Sequence, residues 1–229
     1  MALYAIGDLH LSLGAPKPMD VFGGSWLGYM DKLAKGMACI TDADTTVLLG
    51  DLSWALDLEA AREDFAWIDR IPGKKIILKG NHDYWWSTVA KFDRFCQENG
   101  FSNMEILNNN HFEYDGWALC GTRGWFFEEE RSGEHDEKVF KRELIRLEAS
   151  LKSAGDLPKM VFLHYPPRYK GYTCEPILEL LNRYEVRKCF YGHLHSASHA
   201  LAVEGLWDSV EFRLVSADRL DFVPYPVIL

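Results

Sequence analysis

Nowhere in the 229 residues do the roughly eighteen consecutive apolar residues of a bilayer-spanning helix occur. The N-terminus lacks the basic, apolar and small-residue succession of a secretory leader, because Met1 runs straight into an apolar segment. Cysteine is sparse. Cys39, Cys96, Cys120, Cys174 and Cys189 are an odd number without close pairs, which excludes a disulfide framework or a zinc knuckle. These absences imply a cytoplasmic protein that makes no use of a membrane. Positive charge is in deficit, with 25 Lys and Arg against 34 Asp and Glu and a net charge of −9. Nucleic acid is bound by clustered cations that displace counterions, so the field of this chain disfavours it as a partner. No G-x-G-x-x-G follows a strand pattern and no lysine-bearing phosphate loop is present, which excludes metal-free nucleotide-binding α/β domains. Internal repeats and low-complexity linkers are also missing, and residues 1–229 read as one domain.

What is present is an alternation of short apolar runs with helical stripes, the pattern of layered α/β structure. Residues 3–6, 45–49, 75–78, 160–163 and 188–191 are nearly continuous in apolar character, as expected of strands covered on both faces. Five amphipathic helices are predicted between them. Their stripes are Trp26, Met30, Leu33, Met37 and Ile40; Leu58, Ala61, Phe65 and Ile68; Trp85, Val89, Phe92 and Cys96; Phe140, Leu144, Leu147 and Leu151; and Ile177, Leu181 and Tyr184. Asp57 is the expected N-cap of the second, and Asn99-Gly100 the stop of the third. Val210, Phe212 and Leu214 alternate with polar residues, and Leu201 and Val203 precede Gly205, which predicts antiparallel strands at the C-terminal end. The acidic stretch 128–137 reads as a solvated insertion before the fourth helix.

All five predicted buried strands finish in residues able to bind metal: Gly7-Asp8-Leu9-His10, Gly50-Asp51, Gly80-Asn81-His82-Asp83, His164, and Gly192-His193-Leu194-His195. Layered α/β folds collect ligands outside the carboxyl ends of their strands. An Asp after a strand is ordinarily a turn or cap, and a lone His ordinarily structural. Those readings fail jointly, because five of the eight histidines follow predicted strands directly. Imidazole nitrogens mixed with carboxylate and amide oxygens suit Mn²⁺, Fe or Zn²⁺, and the lack of thiolates argues against a structural zinc.

This ordered set resembles the calcineurin-like metallophosphoesterase superfamily, with motifs spread from near the start to beyond residue 195. The resemblance implies a β-sandwich of two mixed sheets flanked by helices, an α/β (α+β) fold. It also implies two divalent ions, Mn²⁺ first with Fe or Zn²⁺ as alternatives. Asp8, His10 and His195 would hold one ion; Asn81, His164 and His193 the other; Asp51 would bridge them. A hydroxide shared by the ions would attack a phosphomonoester or phosphodiester of a small substrate, with His82 as general acid and Asp83 orienting it. One position departs from the family pattern: many relatives carry a second carboxylate three residues after the bridging Asp, where this chain has Trp54. Arg123, Arg168 and Lys170 are candidate substrate-binding cations, set against ordinary surface charge. Trp54, Trp85 and Trp86 read as core more readily than as cleft, and His199 as no ligand. The competing class is a non-catalytic scaffold that binds a protein partner on the same fold, but such a scaffold would be expected to have lost ligands that are all present here. The oligomeric state is left open.

Overall fold

The computed structural model describes residues 1–125 and 134–229. In chain order its first half runs β1 (Leu3–Ile6), α1 (Tyr29–Met37), β2 (Thr45–Leu48), α2 (Arg62–Asp69), β3 (Lys74–Ile77), α3 (Val89–Asn99) and β4 (Met104–Ile106). There follow β5 (His111–Tyr114), β6 (Trp117–Thr122), α4 (Glu134–Ser153), β7 (Lys159–Leu163), the short hairpin β8 (Arg168–Tyr169) and β9 (Tyr172–Thr173), and α5 (Glu175–Arg183). Four strands complete the chain: β10 (Lys188–Tyr191), β11 (Gly205–Trp207), β12 (Val210–Leu214) and β13 (Tyr225–Ile228).

Two mixed sheets result, ordered β13-β1-β2-β3-β4 and β11-β12-β10-β7-β6-β5. In each, four parallel strands form the centre and antiparallel strands lie at the edge: β13 beside β1 in the first, β11 and β5 in the second. The period of two in a strand divides its residues between layers. Leu3, Ala5, Val47 and Ile76 from the first sheet meet Leu119, Met160, Phe162 and Phe190 from the second, forming the layer between sheets. Ile6, Leu48 and Ile77 turn the other way, onto Leu33, Phe65 and Phe92 of α1, α2 and α3. Val161, Leu163, Cys189 and Tyr191 turn onto Leu147 and Leu151 of α4 and Leu181 of α5. Each fully buried aliphatic or aromatic side chain contributes about 1.5–3 kcal/mol, which is why both faces of the parallel strands read apolar.

The first helix is shorter than its stripe. Trp26 lies in a 3-10 turn before α1, and Ile40 beyond it, yet both are buried in the same layer. Asp57 accepts from the Ala60 amide and caps the turn that leads into α2 rather than α2 itself. Thr88 caps α3 through the Lys91 amide, and Gly100 ends it in the left-handed conformation. Two expectations need correction. Leu201 ends a 3-10 turn, Ser196–Leu201, and the edge strand starts only at Gly205. β12 pairs antiparallel with β11 but parallel with β10; its solvent-facing alternation comes from its nearness to the edge. β4, β5, β6 and β13 were not anticipated. Of the acidic stretch 128–137, residues 134–137 begin α4 and the rest lies outside the described residues. All five cysteines are free. Among the described residues no helix is long and apolar enough to cross a membrane.

Gly36 in α1 packs its Cα against the backbone of Phe222, and a methyl group there would overlap the Phe222 carbonyl. Helix propensity favours Gly36→Ala by about 1 kcal/mol. Overlap with backbone, which cannot rotate away, costs about 1–3 kcal/mol or more. Gly36→Ala is therefore expected to lower stability on balance, read as a lower midpoint of urea unfolding with the slope unchanged. A gain in stability would show that the helix backs away from residue 222 freely.

Candidate metal centre

The parallel strands of both sheets end at one edge of the sandwich, and the backbone ties them there. The Asp8 amide donates to the Gly50 carbonyl at 2.8 Å, and the Gly192 amide to the His164 carbonyl at 3.0 Å. Across the sheets, His164 Nδ1 lies 3.0 Å from the Leu49 carbonyl. Beyond the strand ends the chain bends sharply, with left-handed φ values of 61° at Asp8, 48° at His10, 50° at Asp51 and 73° at His193. Two glycines allow the close approach. A methyl at Gly192 would sit 2.5 Å from Asp8 Oδ2, and one at Gly80 would overlap Asp51 Oδ1.

Two clusters of donor atoms form at this edge. One is Asp8, His10 and His195; the other is Asp51, His164 and His193. Asn81 joins the second, its Oδ1 lying 2.6 Å from His164 Nε2. Asp51 Oδ2 stands between the clusters, 3.5 Å from His164 Nε2 and 4.0 Å from His10 Nε2. The donor set fits divalent cations on a test of lone pairs. His164 Nδ1 faces a carbonyl and donates to it, which leaves Nε2 directed at the Asn81 oxygen. His195 Nδ1 likewise faces Asp218 Oδ1 at 2.9 Å, while His195 Nε2 and His10 Nε2 face each other at 3.3 Å. Two acceptors facing each other at 2.6 Å, as at His164 and Asn81, call for a cation between them; between His195 and His10 a proton on His195 takes the place that a metal cation would fill.

Charge tells the same story. Burial pushes the Asp51 carboxyl up to about 7, with Asp83 and Asp8 adding to the rise against His164. Burial pulls His195 down, but the Asp8 and Asp218 carboxylates overcome it and hold the imidazole at about 10. Surroundings that favour a proton on His195 favour a metal cation in its place. Burial keeps His10 well below its ordinary value, and with His164 it lowers His193 to about 3, so both rings are neutral and free to ligate at pH 7.

Residues beyond the donor set hold it in place. Asp83, fully buried, accepts from the Asp51 and Gly80 amides on one oxygen and from the Leu52 amide and Trp85 indole on the other, all at 2.7–2.8 Å. Its oxygens are taken by these donors, and the His82 ring meets the Tyr84 hydroxyl at 3.4 Å instead. The expectation that Asp83 orients the His82 ring is thus corrected: Asp83 orients backbone. The His82 amide donates to Asp51 Oδ1 at 2.7 Å, leaving Oδ2 for the two clusters. Asp218 was not anticipated. It binds His195 and the Ser196 amide, and His199 Nε2 lies 3.3 Å from it. Its signal was masked by reading β12 as antiparallel; a strand parallel to β10 must end at the same edge as the ligands. Trp54 stacks on His10 with ring centroids 4.8 Å apart, while Trp85 and Trp86 belong to the helical layer of the first sheet.

A cleft of about 240 Å³ opens on the clusters, lined by His10, Asp51, His82, His193 and His195 and walled by Met19, Phe22, Trp26 and Trp54. Arg123, Arg168 and Lys170 are absent from it. Arg123 faces the buried Glu143 at 3.7 Å, Arg168 pairs with Asp208 at 3.5 Å, and the Lys170 amide is bonded to the Leu201 carbonyl. In Asp83→Asn, an amide nitrogen must confront backbone donors. Stranding one or two buried donors is expected to cost about 2–4 kcal/mol, read by urea unfolding in the presence of a chelator. A loss within about 0.5 kcal/mol, the range of a surface substitution, would refute this role.

Comparison with known proteins agrees with the geometry. The calcineurin-like phosphoesterase family matches residues 1–197, a span that contains every donor residue named above except the supporting Asp218. None of the curated proteins matches the chain. Among solved structures, the Aquifex aeolicus protein AQ665, described as of unknown function, superposes with a TM-score of 0.55 at 17% identity, covering 98% of this chain and 95% of that one. The Thermus thermophilus protein TT1561 gives 0.49 at 15% identity, covering 86% and 85%. The first of these likenesses bears on the fold alone. With the family matched over most of its length, and with two donor clusters at one edge of a two-sheet sandwich, the chain belongs to the calcineurin-like phosphoesterases, a family of metal-dependent hydrolases.

Proposed function

We propose that the protein is a dinuclear-metal phosphohydrolase that cleaves a phosphomonoester or phosphodiester of a small cytoplasmic substrate. The observation that carries the reading is the position of Asp51 Oδ2 between the two clusters, 3.5 Å from one imidazole and 4.0 Å from another. Asp8, His10 and His195 would hold one ion and Asn81, His164 and His193 the second, with Asp51 placed between them; Mn²⁺ is the first ion to supply. Bound there, the ions provide charge for the phosphoryl oxygens and an activated water. The chain's own residues do the rest. Asp83 fixes the turns that carry Asp51 and Asn81, and Asp218 fixes the tautomer and angle of His195. His82 lines the cleft without joining either cluster and is the proton donor to the leaving oxygen. Burial, His164 and Lys17 lower its ring to about 4, so it is neutral at pH 7 in the protein alone. The negative charge of a phosphoryl group beside it favours the protonated form, which ties the acid's readiness to substrate binding.

Asp51→Ala is expected to deplete both ions, whereas His10→Ala and His164→Ala deplete different ones. Elemental analysis of dialysed protein and anomalous diffraction at the two clusters decide this. Full occupancy in Asp51→Ala, or the same ion lost in both histidine variants, would overturn the ligand assignment.

His82→Ala is expected to keep both ions. A general acid contributes about 10²–10⁴-fold, most where the leaving alkoxide is strongly basic. The variant should lose little rate on nitrophenyl phosphate and about 10²-fold or more on alkyl phosphates. Rate plotted against leaving-group pKa for both proteins is the measurement; an equal loss across the series removes His82 from the acid role.

A further inference from the structure

Phosphate-ester clefts that select sugars or phosphopeptides need polar groups on their walls. Here the wall beside the donor clusters is Met19, Phe22, Trp26 and Trp54, joined by a single polar residue, Ser196. Trp26 and Trp54 are almost wholly buried and brace the histidines, with Trp26 edge-on to both His10 and His195 at 5.8 and 5.6 Å. Phe22 is different: it lines the cleft and yet is 64% exposed. A large aromatic left in water at the mouth of a site is the informative case, unlike a scattered surface Leu.

Arg123 and Arg168 are turned to other partners, as described above. Lys17 stands beside this wall, its ammonium 3.3 Å from the centre of the Trp54 ring. The opening thus combines one exposed cation with an apolar wall in which Phe22 is left in water.

We propose that the substrate is a phosphate ester of an apolar alcohol, whose hydrocarbon part lies along Phe22 and Met19 while its phosphate reaches the clusters. This rests on the phosphohydrolase reading and names the class of its substrate. The occupant follows from the lining: Phe22 is the exposed aromatic of a mostly apolar wall that adjoins the donor clusters, so a hydrocarbon attached to a phosphate held there covers it. A sugar or a phosphoserine peptide would leave Phe22 wet, with Ser196 and Lys17 the polar groups beside the donor residues.

The test uses the Mn²⁺-loaded protein and a series of straight-chain alkylphosphonates from ethyl to octyl, kept below self-association. These have no ester bond to break, so calorimetry reads binding alone. Kd is expected to fall about three- to fourfold for each added methylene until the wall is covered, with a change in tryptophan fluorescence, and Phe22→Ser is expected to flatten that dependence. The matching alkyl phosphates, glycerol phosphate and a phosphoserine peptide are compared by kcat/KM, with the longer alkyl esters expected to lead. A steep phosphonate series without hydrolysis of any ester leaves this inference standing and removes the hydrolytic reading. Hydrolysis with no chain-length dependence, or with the polar esters ahead, overturns this inference alone. A flat series in which Phe22→Ser instead changes the sedimentation of the protein also overturns it, in favour of an interface between copies of the chain.

Discussion

The carboxylate of Asp83 accepts hydrogen bonds from turns that follow two different strands, β2 and β3, and the placement of Asp51 depends on it. Without that carboxylate the amides of Asp51, Leu52 and Gly80 would be buried donors with nothing to receive them. With it, they converge on one point, and the Asp51 side chain is left facing the gap between the sheets' ends. Asp64 does the same work one layer further out. It accepts from the Leu13 amide at 2.7 Å and the Ser53 hydroxyl at 2.5 Å, joining the turn after β1 and the turn after β2 to α2. Burial raises both carboxyls, which measures how much the backbone donors must offset.

Around this frame the charges are arranged so that small molecules or ions, rather than Lys or Arg, complete them. Asp8 and Asp51 are buried, and their nearest charged partners in the protein are imidazoles. The two aspartates respond in opposite directions. Asp8 is held well below the ordinary carboxylate range, because His195 outweighs its burial, whereas Asp51 rises. The centre is therefore asymmetric before any ion enters: one carboxylate is already paired, the other is poised between ionised and neutral. Asp218 extends the asymmetry by supporting only the His195 side.

The strands that carry donors were legible because burial on both faces left continuous apolar runs, each ended by Gly and a polar residue. β1 and β10 match their sequence ranges residue for residue, β2 and β7 differ by a single residue at one end, and β3 is displaced by one residue at both. What escaped had a physical reason in each case. β6 carries Trp117 and Thr122 at its ends and a glycine within, which reads as neither helix nor strand. β12 shows a solvated face because β11 beside it is the sheet's edge, and its alternation mimics an antiparallel strand although it pairs parallel with β10. Asp8, His10, Asp51, Asn81, His164, His193 and His195 were all marked in the sequence as strand-end candidates, and the family resemblance singled them out as ligands. Asp218 and Asp64 were not, because a carboxylate that serves by hydrogen-bonding a histidine or an amide has no motif of its own. Arg123 and Arg168 were misplaced for the converse reason: nearness to His164 in sequence says nothing about which neighbour, Glu143 or Asp208, claims the guanidinium.

The left-handed turns at Asp8, His10, Asp51 and His193 carry a further meaning. Each holds a side-chain-bearing residue in a conformation that glycine adopts freely and that costs other residues about 1 kcal/mol or more. The candidate ligating groups and the strain therefore fall on the same positions. Replacing any of them by glycine would relieve the backbone, but at Asp8 and Asp51 it would also strand the His193 and His82 amides that those carboxylates accept from. The positions are pulled two ways: the turn conformation suits glycine, while the hydrogen bonds that shape the turns, and the chemistry of the candidate centre, require a side chain.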